Sequence, residues 1–393
     1  MLLTPRDLPS LLDGTGPNVN LGTPEPRARG INPLPRLSED GKSLTQGRKL
    51  EGARSPHFTP ARPSSGPRRA AEGALPQQHR FRKSLPLAAG MRPVATYSIV
   101  ARDPETGQLG VAVQSHWFSV GSVVPWAEAG VGAVATQSFA EPSYGPLGLA
   151  LMRAGKGADE ALRALLEVDP KREYRQVAFV DSSGRVAVHT GELCIPEAGH
   201  VVGEGFSVQA NLMSTSDVWP AMAEAYESAG GDLAHRLLAA LEAAEEAGGD
   251  IRGMQSAAIL VVSGRLSGRP WGEVIVDLRV EDHPRPLEEL RRLLRLHEAY
   301  THSNRGDELM AEGRVEEALG EYGRAAELAP EVVELPFWQA VTLAGSGRME
   351  EALPIFERVF RAEERWVEVL RRLPRVGMLE EGVVREVLRS LGL

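Results

Sequence analysis

Alternating apolar and polar positions near residue 100 predict a β-hairpin. Two such runs, residues 98–101 and 109–115, flank a turn that contains Asp103, Pro104 and Gly107. Thr96 stands at the start of the first strand. A hydroxyl in that place is either an ordinary strand residue or a nucleophile whose own α-amine acts as its base. The functional question therefore begins at Thr96.

The pattern from Thr96 to about Asp282 predicts one α+β domain. Further strands are predicted over residues 130–139, 176–180, 185–190, 205–212, 255–262 and 273–280, and helices over 144–154, 158–168, 216–228 and 233–247. Because the helices come in consecutive pairs, they suit antiparallel sheets covered on their outer faces better than a parallel sheet with single crossovers. The order predicts a four-layer αββα sandwich.

After Pro286 the pattern becomes almost wholly helical and repeats after 34 residues. Gly313–Leu319 recurs as Gly347–Leu353. The first copy has small, aromatic and terminating residues where the tetratricopeptide repeat has them, at Gly306, Ala318, Tyr322, Ala325 and Pro330. Residues 297–365 thus resemble that repeat. Two copies need a cap, which is either the last segment, residues 365–393, or the preceding α+β domain. The resemblance implies a helical domain over 297–393 that holds a partner peptide in its groove.

Residues 1–90 differ in composition from the rest of the chain. They contain 13 of the 28 prolines, and 14 Lys and Arg against 7 Asp and Glu. Such a segment has too little apolar surface to offset the entropy of ordering, which predicts a disordered extension. Two alternatives stay open: translation starts at Met91, or the segment is a transit peptide, which its acidic residues disfavour.

Composition excludes several classes of function. The net charge of −9 combines a basic segment over residues 1–90 with an acidic remainder, which disfavours binding to nucleic acid. No apolar run reaches the length of a membrane span and no signal peptide is present, so a cytoplasmic location is expected. The single cysteine, Cys194, is expected to pack rather than react. Histidine spacing and glycine motifs predict no metal and no nucleotide cofactor.

Polar residues at strand ends are the remaining candidates for chemistry. They are Ser115, His116, Thr136, Gln137, Ser138, Gln209, Asn211, Arg252, Gln255 and Ser256. One interpretation is that they line a cleft around Thr96. The other is that they satisfy buried backbone groups. Both stay open at the level of the sequence.

Eight motifs between residues 95 and 280 carry a family resemblance. They lie at residues 95–104, 111–115, 120–126, 132–137, 144–146, 203–205, 255–258 and 277–280. Together they resemble an uncharacterised bacterial family of unknown function that is placed in the N-terminal-nucleophile (Ntn) hydrolase superfamily. The resemblance implies an αββα sandwich over residues 91–285, with Thr96 as the first residue of the mature chain and as the nucleophile.

A nucleophile at Thr96 needs oxyanion donors and substrate-binding groups from elsewhere in the chain, and the strand-end residues are the candidates. Asn211 and backbone amides near Gln137 are expected to stabilise the oxyanion, and Arg252 or His116 to orient substrate or tune the Thr96 amine. His116, Gln137, Ser138 and Gln255 are expected to bind substrate.

Thr96 follows Ala95 in the encoded chain, so its amine is not free until that bond is cut. Self-cleavage by an N-to-O acyl shift is one route. Two functions therefore stay open. One is an amidohydrolase or peptidase, acting on a small amide or peptide bond and recruiting its substrate or a partner through the repeat helices. The other is a non-catalytic scaffold that binds a partner protein. Sandwiches of this kind often pair, so a homo-oligomer is also considered.

Overall fold

The computed structural model of the protein describes residues 94–393. The disorder predicted for residues 1–90 and the alternative start at Met91 lie outside these residues.

Two antiparallel sheets form the first part of the described chain. Their strands are β1 (Thr96–Arg102), β2 (Leu109–Ser115), β3 (Pro125–Glu128), β4 (Gly132–Ser138), β5 (Arg175–Asp181), β6 (Val186–Thr190), β7 (Gly199–Gly203), β8 (Phe206–Asn211), β9 (Ser256–Val262) and β10 (Val274–Val280). The six-stranded sheet has the order β10-β9-β2-β1-β8-β7, and the four-stranded sheet has the order β3-β4-β5-β6. The predicted hairpin is therefore at the centre of the larger sheet.

Apolar side chains form cores between the two sheets and between each sheet and the helices that cover its outer face. Val111 and Val113 of the six-stranded sheet share one core with Ala135 and Val180 of the four-stranded sheet. Helices α1 (Tyr144–Arg153) and α2 (Ala158–Val168) cover the outer face of the four-stranded sheet. Helices α3 (Val218–Ser228) and α4 (Leu233–Glu246) cover the outer face of the six-stranded sheet. The predicted α+β composition and the antiparallel sheets are confirmed.

Asp181 joins α2 to the hairpin of β5 and β6. Its Oδ2 accepts from the Ala158 backbone N–H at 3.1 Å and from Arg185 Nε at 2.8 Å. Its Oδ1 accepts from the backbone N–H and the hydroxyl of Ser183 at 2.9 and 2.6 Å. Burial by itself raises the pKa of Asp181, but these hydrogen bonds outweigh it and hold the pKa below its ordinary value.

We expect Asp181→Ala to lower the free energy of unfolding at pH 7 by about 2–3 kcal/mol, because the buried N–H of Ala158 loses its acceptor. A depressed pKa stabilises the fold above the unfolded pKa of about 3.9 and loses that effect as the pH falls through the folded pKa. The difference from wild type should therefore shrink below about pH 4. Urea unfolding at pH 7 and at acid pH measures it. Asp159→Ala, which removes an exposed partner of Arg163, is the control and should change little.

Six helices complete the chain: α5 (Pro286–Ala311), α6 (Val315–Leu328), α7 (Glu334–Gly345), α8 (Met349–Ala362), α9 (Arg365–Arg372) and α10 (Glu381–Ser390). Each copy of the 34-residue repeat forms a helical hairpin, α5–α6 and α7–α8. Gly313 and Gly347 lie in the turns with φ of 75° and 80°, a conformation that favours glycine. The predicted helical C-terminal region is confirmed.

Helix α5 takes part in three apolar clusters, one under the six-stranded sheet and two among the C-terminal helices. Leu287, Leu290 and Leu294 in its first half pack in the core beneath the six-stranded sheet. Ala299 and Leu309 in its second half pack with the hairpin helices. The helix therefore runs without interruption through residues 286–296, which lie between the two domains that the sequence predicts. Across residues 94–393, no helix combines the length and apolarity that crossing a bilayer needs.

Candidate functional site

Thr96 begins β1, the strand that pairs with both β2 and β8. The register places Thr96 opposite Ser115 on β2 and opposite Asn211 on β8. Tyr97 belongs to the core beneath α3 and α4. Because successive strand residues face opposite sides, the side chains of Thr96 and Ser98 face the four-stranded sheet. Thr96 is fully buried in the chain that retains Ala95.

The carbonyl oxygen of Ala95, which belongs to the peptide bond before Thr96, has two side-chain donors. Ser115 Oγ donates to it at 2.5 Å and Arg252 Nη2 donates to it at 3.0 Å. Thr96 Oγ1 lies 3.2 Å from Ser115 Oγ and 2.8 Å from the carbonyl oxygen of Val94. A carbonyl with a hydroxyl and a guanidinium on its oxygen is polarised toward attack at its carbon.

Arg252 is held in position by Asp250. Asp250 Oδ1 accepts from Arg252 Nε at 3.0 Å, and Oδ2 accepts from Arg252 Nη2 at 2.7 Å. The Asp250 side chain is fully buried, whereas 30% of the Arg252 side chain is exposed. This bidentate pair fixes the plane of the guanidinium, so that Nη2 reaches both the carboxylate and the Ala95 carbonyl.

Amide side chains that lie between the two sheets donate hydrogen bonds to the carbonyl oxygen of Thr96. Gln137 Nε2 and Asn211 Nδ2 each lie 3.4 Å from this oxygen. Both also donate to Gln176 Oε1, at 2.7 and 2.9 Å respectively. All four residues are fully buried. The network fixes the start of β1 and leaves the Ala95 carbonyl to Ser115 and Arg252.

Ser138, the last residue of β4, pairs with the chain just before β1. Its backbone N–H donates to the Val94 carbonyl at 3.0 Å, and the Val94 N–H donates to the Ser138 carbonyl at 2.5 Å. Ser138 has a φ of 66°, an uncommon value for a residue with a side chain. The segment 94–95 is therefore bound to the four-stranded sheet as well as to β1.

Comparison with known proteins gives the family. The sequence profile of a family of unknown function, DUF1028, matches residues 96–290. A protein from Silicibacter pomeroyi, whose crystal structure is assigned to the same family, is 32% identical in sequence. That match covers 51% of this chain and 88% of the other, with a TM-score of 0.46.

The chain belongs to the DUF1028 family. No curated protein matches it. The predicted resemblance to a family of unknown function is confirmed, while the wider Ntn superfamily and the tetratricopeptide resemblance stay predictions.

In this DUF1028 protein, five of the seven predicted site residues lie together around the bond between Ala95 and Thr96. They are Thr96, Gln137, Ser138, Asn211 and Arg252. Asn211 donates to the carbonyl of Thr96 itself in the uncut chain, whereas the oxygen of Ala95 takes its donors from Ser115 and Arg252. The catalytic and binding roles of these residues stay predictions.

The other two predicted residues lie at the rim of this site. The His116 side chain is exposed, and only its backbone N–H points to Asp250, at 3.4 Å. The Gln255 side chain donates to Asp282 Oδ1 at 3.0 Å and makes no hydrogen bond to the cluster. Its backbone N–H donates to the Ser115 carbonyl at 3.1 Å, so its main chain does join β2 next to the site.

The candidate site of the DUF1028 domain includes two residues that the predicted set lacked, Gln176 and Asp250, and one that the set contained without a role, Ser115. The role of Ser115 could have been predicted from the hairpin register, because it is the residue directly across from Thr96. Gln176 could have been found as the partner of Gln137 across β4 and β5. Asp250 carries no such signal, since it reaches Arg252 from a turn.

Two other groups within residues 94–393 carry nucleophilic or metal-ligating atoms. Cys194 is buried beside Ser138. Burial raises the pKa of its thiol and outweighs the opposing hydrogen bond with Ser138, as suits a packing residue rather than a nucleophile. Asp232, His235 and Glu298 place metal-ligating atoms within 4.8 Å of one another on the surface of α4 and α5. His235 Nδ1 lies 2.8 Å from Asp232 Oδ1, and its Nε2 lies 3.4 Å from Glu298 Oε1.

Proposed function

We propose that this protein is an Ntn-type amide hydrolase that frees Thr96 by cleaving its own Ala95–Thr96 bond. The observation that carries the proposal is the pair of donors, Ser115 Oγ and Arg252 Nη2, on the carbonyl oxygen of the bond that must break. Amide hydrolysis passes through a tetrahedral oxyanion, and preorganised donors at that oxygen are its largest source of stabilisation.

The self-cleavage step follows from these contacts. Thr96 Oγ1 attacks the carbonyl carbon of Ala95, and the charge that forms on the Ala95 oxygen is stabilised by Ser115 and Arg252. The C–N bond then breaks, and the proton from Oγ1 passes to the Thr96 nitrogen. An ester now joins Ala95 to Oγ1. Water hydrolyses this ester, which leaves a carboxylate on Ala95 and both a free amine and a free hydroxyl on Thr96.

The freed Thr96 has the groups needed for hydrolysis of a second amide. Its α-amine, with an ordinary pKa of about 7.7–8.0, takes the proton from Oγ1 as the hydroxyl attacks the substrate carbonyl. Ser115 and Arg252 then face the substrate oxygen in place of the Ala95 oxygen. Asn211 and Gln137 hold the Thr96 carbonyl and position the nucleophile. His116 and Gln255, at the rim, contact the more distant parts of the substrate.

A chain engineered to begin at Thr96 tests hydrolysis separately from self-cleavage. It keeps all ten strands and ten helices of residues 94–393, because the first of them begins at Thr96. We expect this chain to release p-nitroaniline from N-acyl p-nitroanilides, with a rate that rises with pH as the amine loses its proton. The control is the same chain with Thr96→Ala at its first position. The proposal is contradicted if the chain that begins at Thr96 hydrolyses none of these substrates, or hydrolyses them no faster than this control.

A second candidate function, recruitment of a partner by the repeat helices, has its own support. A cavity of about 1000 Å³ lies in the helical region, lined by residues of α5, α6 and α7, by the turn after α7 and by Met378 between α9 and α10. Its lining includes Met310, Trp338, Val341 and Met378 beside Asp307. Met378 is 56% exposed, so this apolar surface is open to a partner segment. The same cavity serves a substrate-recruiting hydrolase or a scaffold.

We expect Met378→Glu to reduce the recovery of a partner on the purified full chain by at least about tenfold, because it places a charge on apolar contact surface. Val376→Glu is the control, since Val376 is also exposed but does not line the cavity. Quantitative mass spectrometry of co-purified proteins measures both. Equal recovery with the two variants contradicts a binding role for the cavity. If a partner is recovered and the chain that begins at Thr96 hydrolyses no p-nitroanilide, the scaffold is favoured over the hydrolase.

A further inference from the structure

We propose that the substrate is a peptide, and that its acyl side binds as residues Val94 and Ala95 bind in the uncut chain. The inference rests on the proposed function, because it takes Thr96 as the nucleophile. Val94 and Ala95 are then the acyl side of the first bond that this site cleaves. Their contacts define the shape and chemistry of the acyl site.

Backbone pairing is the first part of this acyl site. Ser138 exchanges two hydrogen bonds with Val94, at 2.5 and 3.0 Å, as an isolated antiparallel bridge. The substrate residue in the place of Val94 must therefore offer both a backbone N–H and a carbonyl in an extended conformation. An extended peptide that pairs with a sheet in this way uses the main chain for affinity. A simple amide with a short acyl group has no group to pair with Ser138.

Side-chain enclosure is the second part. Ala95 is fully buried, so a larger residue beside the cleaved bond must displace surrounding atoms. Val94 is 4% exposed and belongs to the apolar core between the sheets. The acyl site therefore favours a small residue next to the cleaved bond and an apolar residue before it.

Polar groups that lose their partners when the cut segment leaves are the third part. Ser115 Oγ and Arg252 Nη2 both donate to the Ala95 carbonyl, and the Ser138 backbone exchanges two hydrogen bonds with Val94. All of these bonds are lost when residues 94–95 leave. Buried polar groups without partners are unfavourable, and a bound peptide restores the partners that the departing segment held.

Synthetic substrates test the inference on the chain that begins at Thr96. We expect acetyl-Val-Ala-p-nitroanilide to be hydrolysed with a kcat/KM at least about 100-fold above that of acetyl-Val-Phe-p-nitroanilide, because the phenyl ring does not fit the enclosure around Ala95. Methylating the backbone nitrogen of the valine should lower kcat/KM about tenfold, since it removes the donor to the Ser138 carbonyl. The matched control is acetyl-Gly-Val-Ala-p-nitroanilide with the methyl group on the glycine nitrogen instead. This methylation should change kcat/KM little, because that nitrogen lies before the valine that pairs with Ser138.

A binding measurement keeps the inference independent of turnover. The tetrapeptide acid that corresponds to residues 92–95 should bind the chain that begins at Thr96 at least about tenfold more tightly than its Ala95→Phe and N-methyl-valine counterparts. Titration calorimetry reports it. If alanine and phenylalanine substrates are hydrolysed equally well and N-methylation has no effect, the peptide assignment is overturned. The proposed hydrolase activity is then still supported. Absence of hydrolysis, with selective peptide binding, contradicts the hydrolase and supports the acyl site. Equal or absent binding of the three peptides overturns the acyl site.

Discussion

A Thr96→Ala chain should retain Ala95 and lose amide hydrolysis by about 10⁴-fold or more. The substitution removes Oγ1, which is both the attacking atom of self-cleavage and the nucleophile of the mature enzyme. It removes little apolar contact area. The amide side chains of Gln137 and Asn211 contact the backbone carbonyl of residue 96, which alanine also provides. The fold should therefore persist. Intact mass of the purified protein and the rate of p-nitroaniline release measure the two effects.

Two variants serve as controls for the Thr96 prediction. Thr96→Ser keeps a hydroxyl and should still be cut. Ser98→Ala removes a buried hydroxyl on the same face of β1, where Ser98 Oγ accepts from Gln209 Nε2 at 2.6 Å. It should destabilise the protein modestly and leave the cleavage site unchanged. Cleavage before residue 96 in the Thr96→Ala chain would show that another group, or another protein, cuts this bond.

Arg252→Ala should slow self-cleavage about 10²–10³-fold, because the Ala95 oxygen loses a charged donor as negative charge forms on it. Asp250→Asn should slow it in the same direction, since it weakens the bidentate pair that orients the guanidinium. The time course of the full-length mass after synthesis measures the rate. Arg252→Lys keeps the charge but loses the fork and should recover only part of the rate.

Arg279→Ala is the matched control for Arg252. Arg279 also pairs with an aspartate two residues before it, Asp277, but both side chains are about 40% exposed on β10. Removing it should leave the cleavage rate unchanged. Equal rates for wild type, Arg252→Ala and Arg279→Ala contradict the role of Arg252 at the Ala95 carbonyl. Slowing by both arginine variants indicates a general effect on the fold.

Long apolar patterns in the sequence were enough to predict most strands and helices of the two-sheet region. Helix α2 lies at the predicted residues 158–168, and the strands of the central hairpin begin or end within two residues of their predicted bounds. Strands β3 and β7 were not predicted. Each lies at the edge of its sheet, β3 has four residues and begins with Pro125, and β7 begins and ends with glycine. Their strand conformation depends on pairing with β4 and β8 rather than on local pattern.

The candidate site was predictable where it follows strand register and unpredictable where it depends on turns. Thr96, Gln137 and Asn211 all lie within strands whose ends meet, so their polar side chains could be grouped from the sequence. Asp250 reaches the site through a turn that pairs with Met213, outside the named strands. Gln255 was predicted to bind substrate from its place at a strand start, yet its side chain turns to Asp282. Side-chain direction at strand ends depends on the turns next to those ends.

The mass of the purified wild-type chain under denaturing conditions shows directly whether the Ala95–Thr96 bond is cut. We expect a polypeptide whose first residue is Thr96, together with a full-length mass for the Thr96→Ala chain prepared in the same way. A wild-type chain that retains Ala95 at its junction with Thr96, with the same mass pattern as Thr96→Ala, would contradict it.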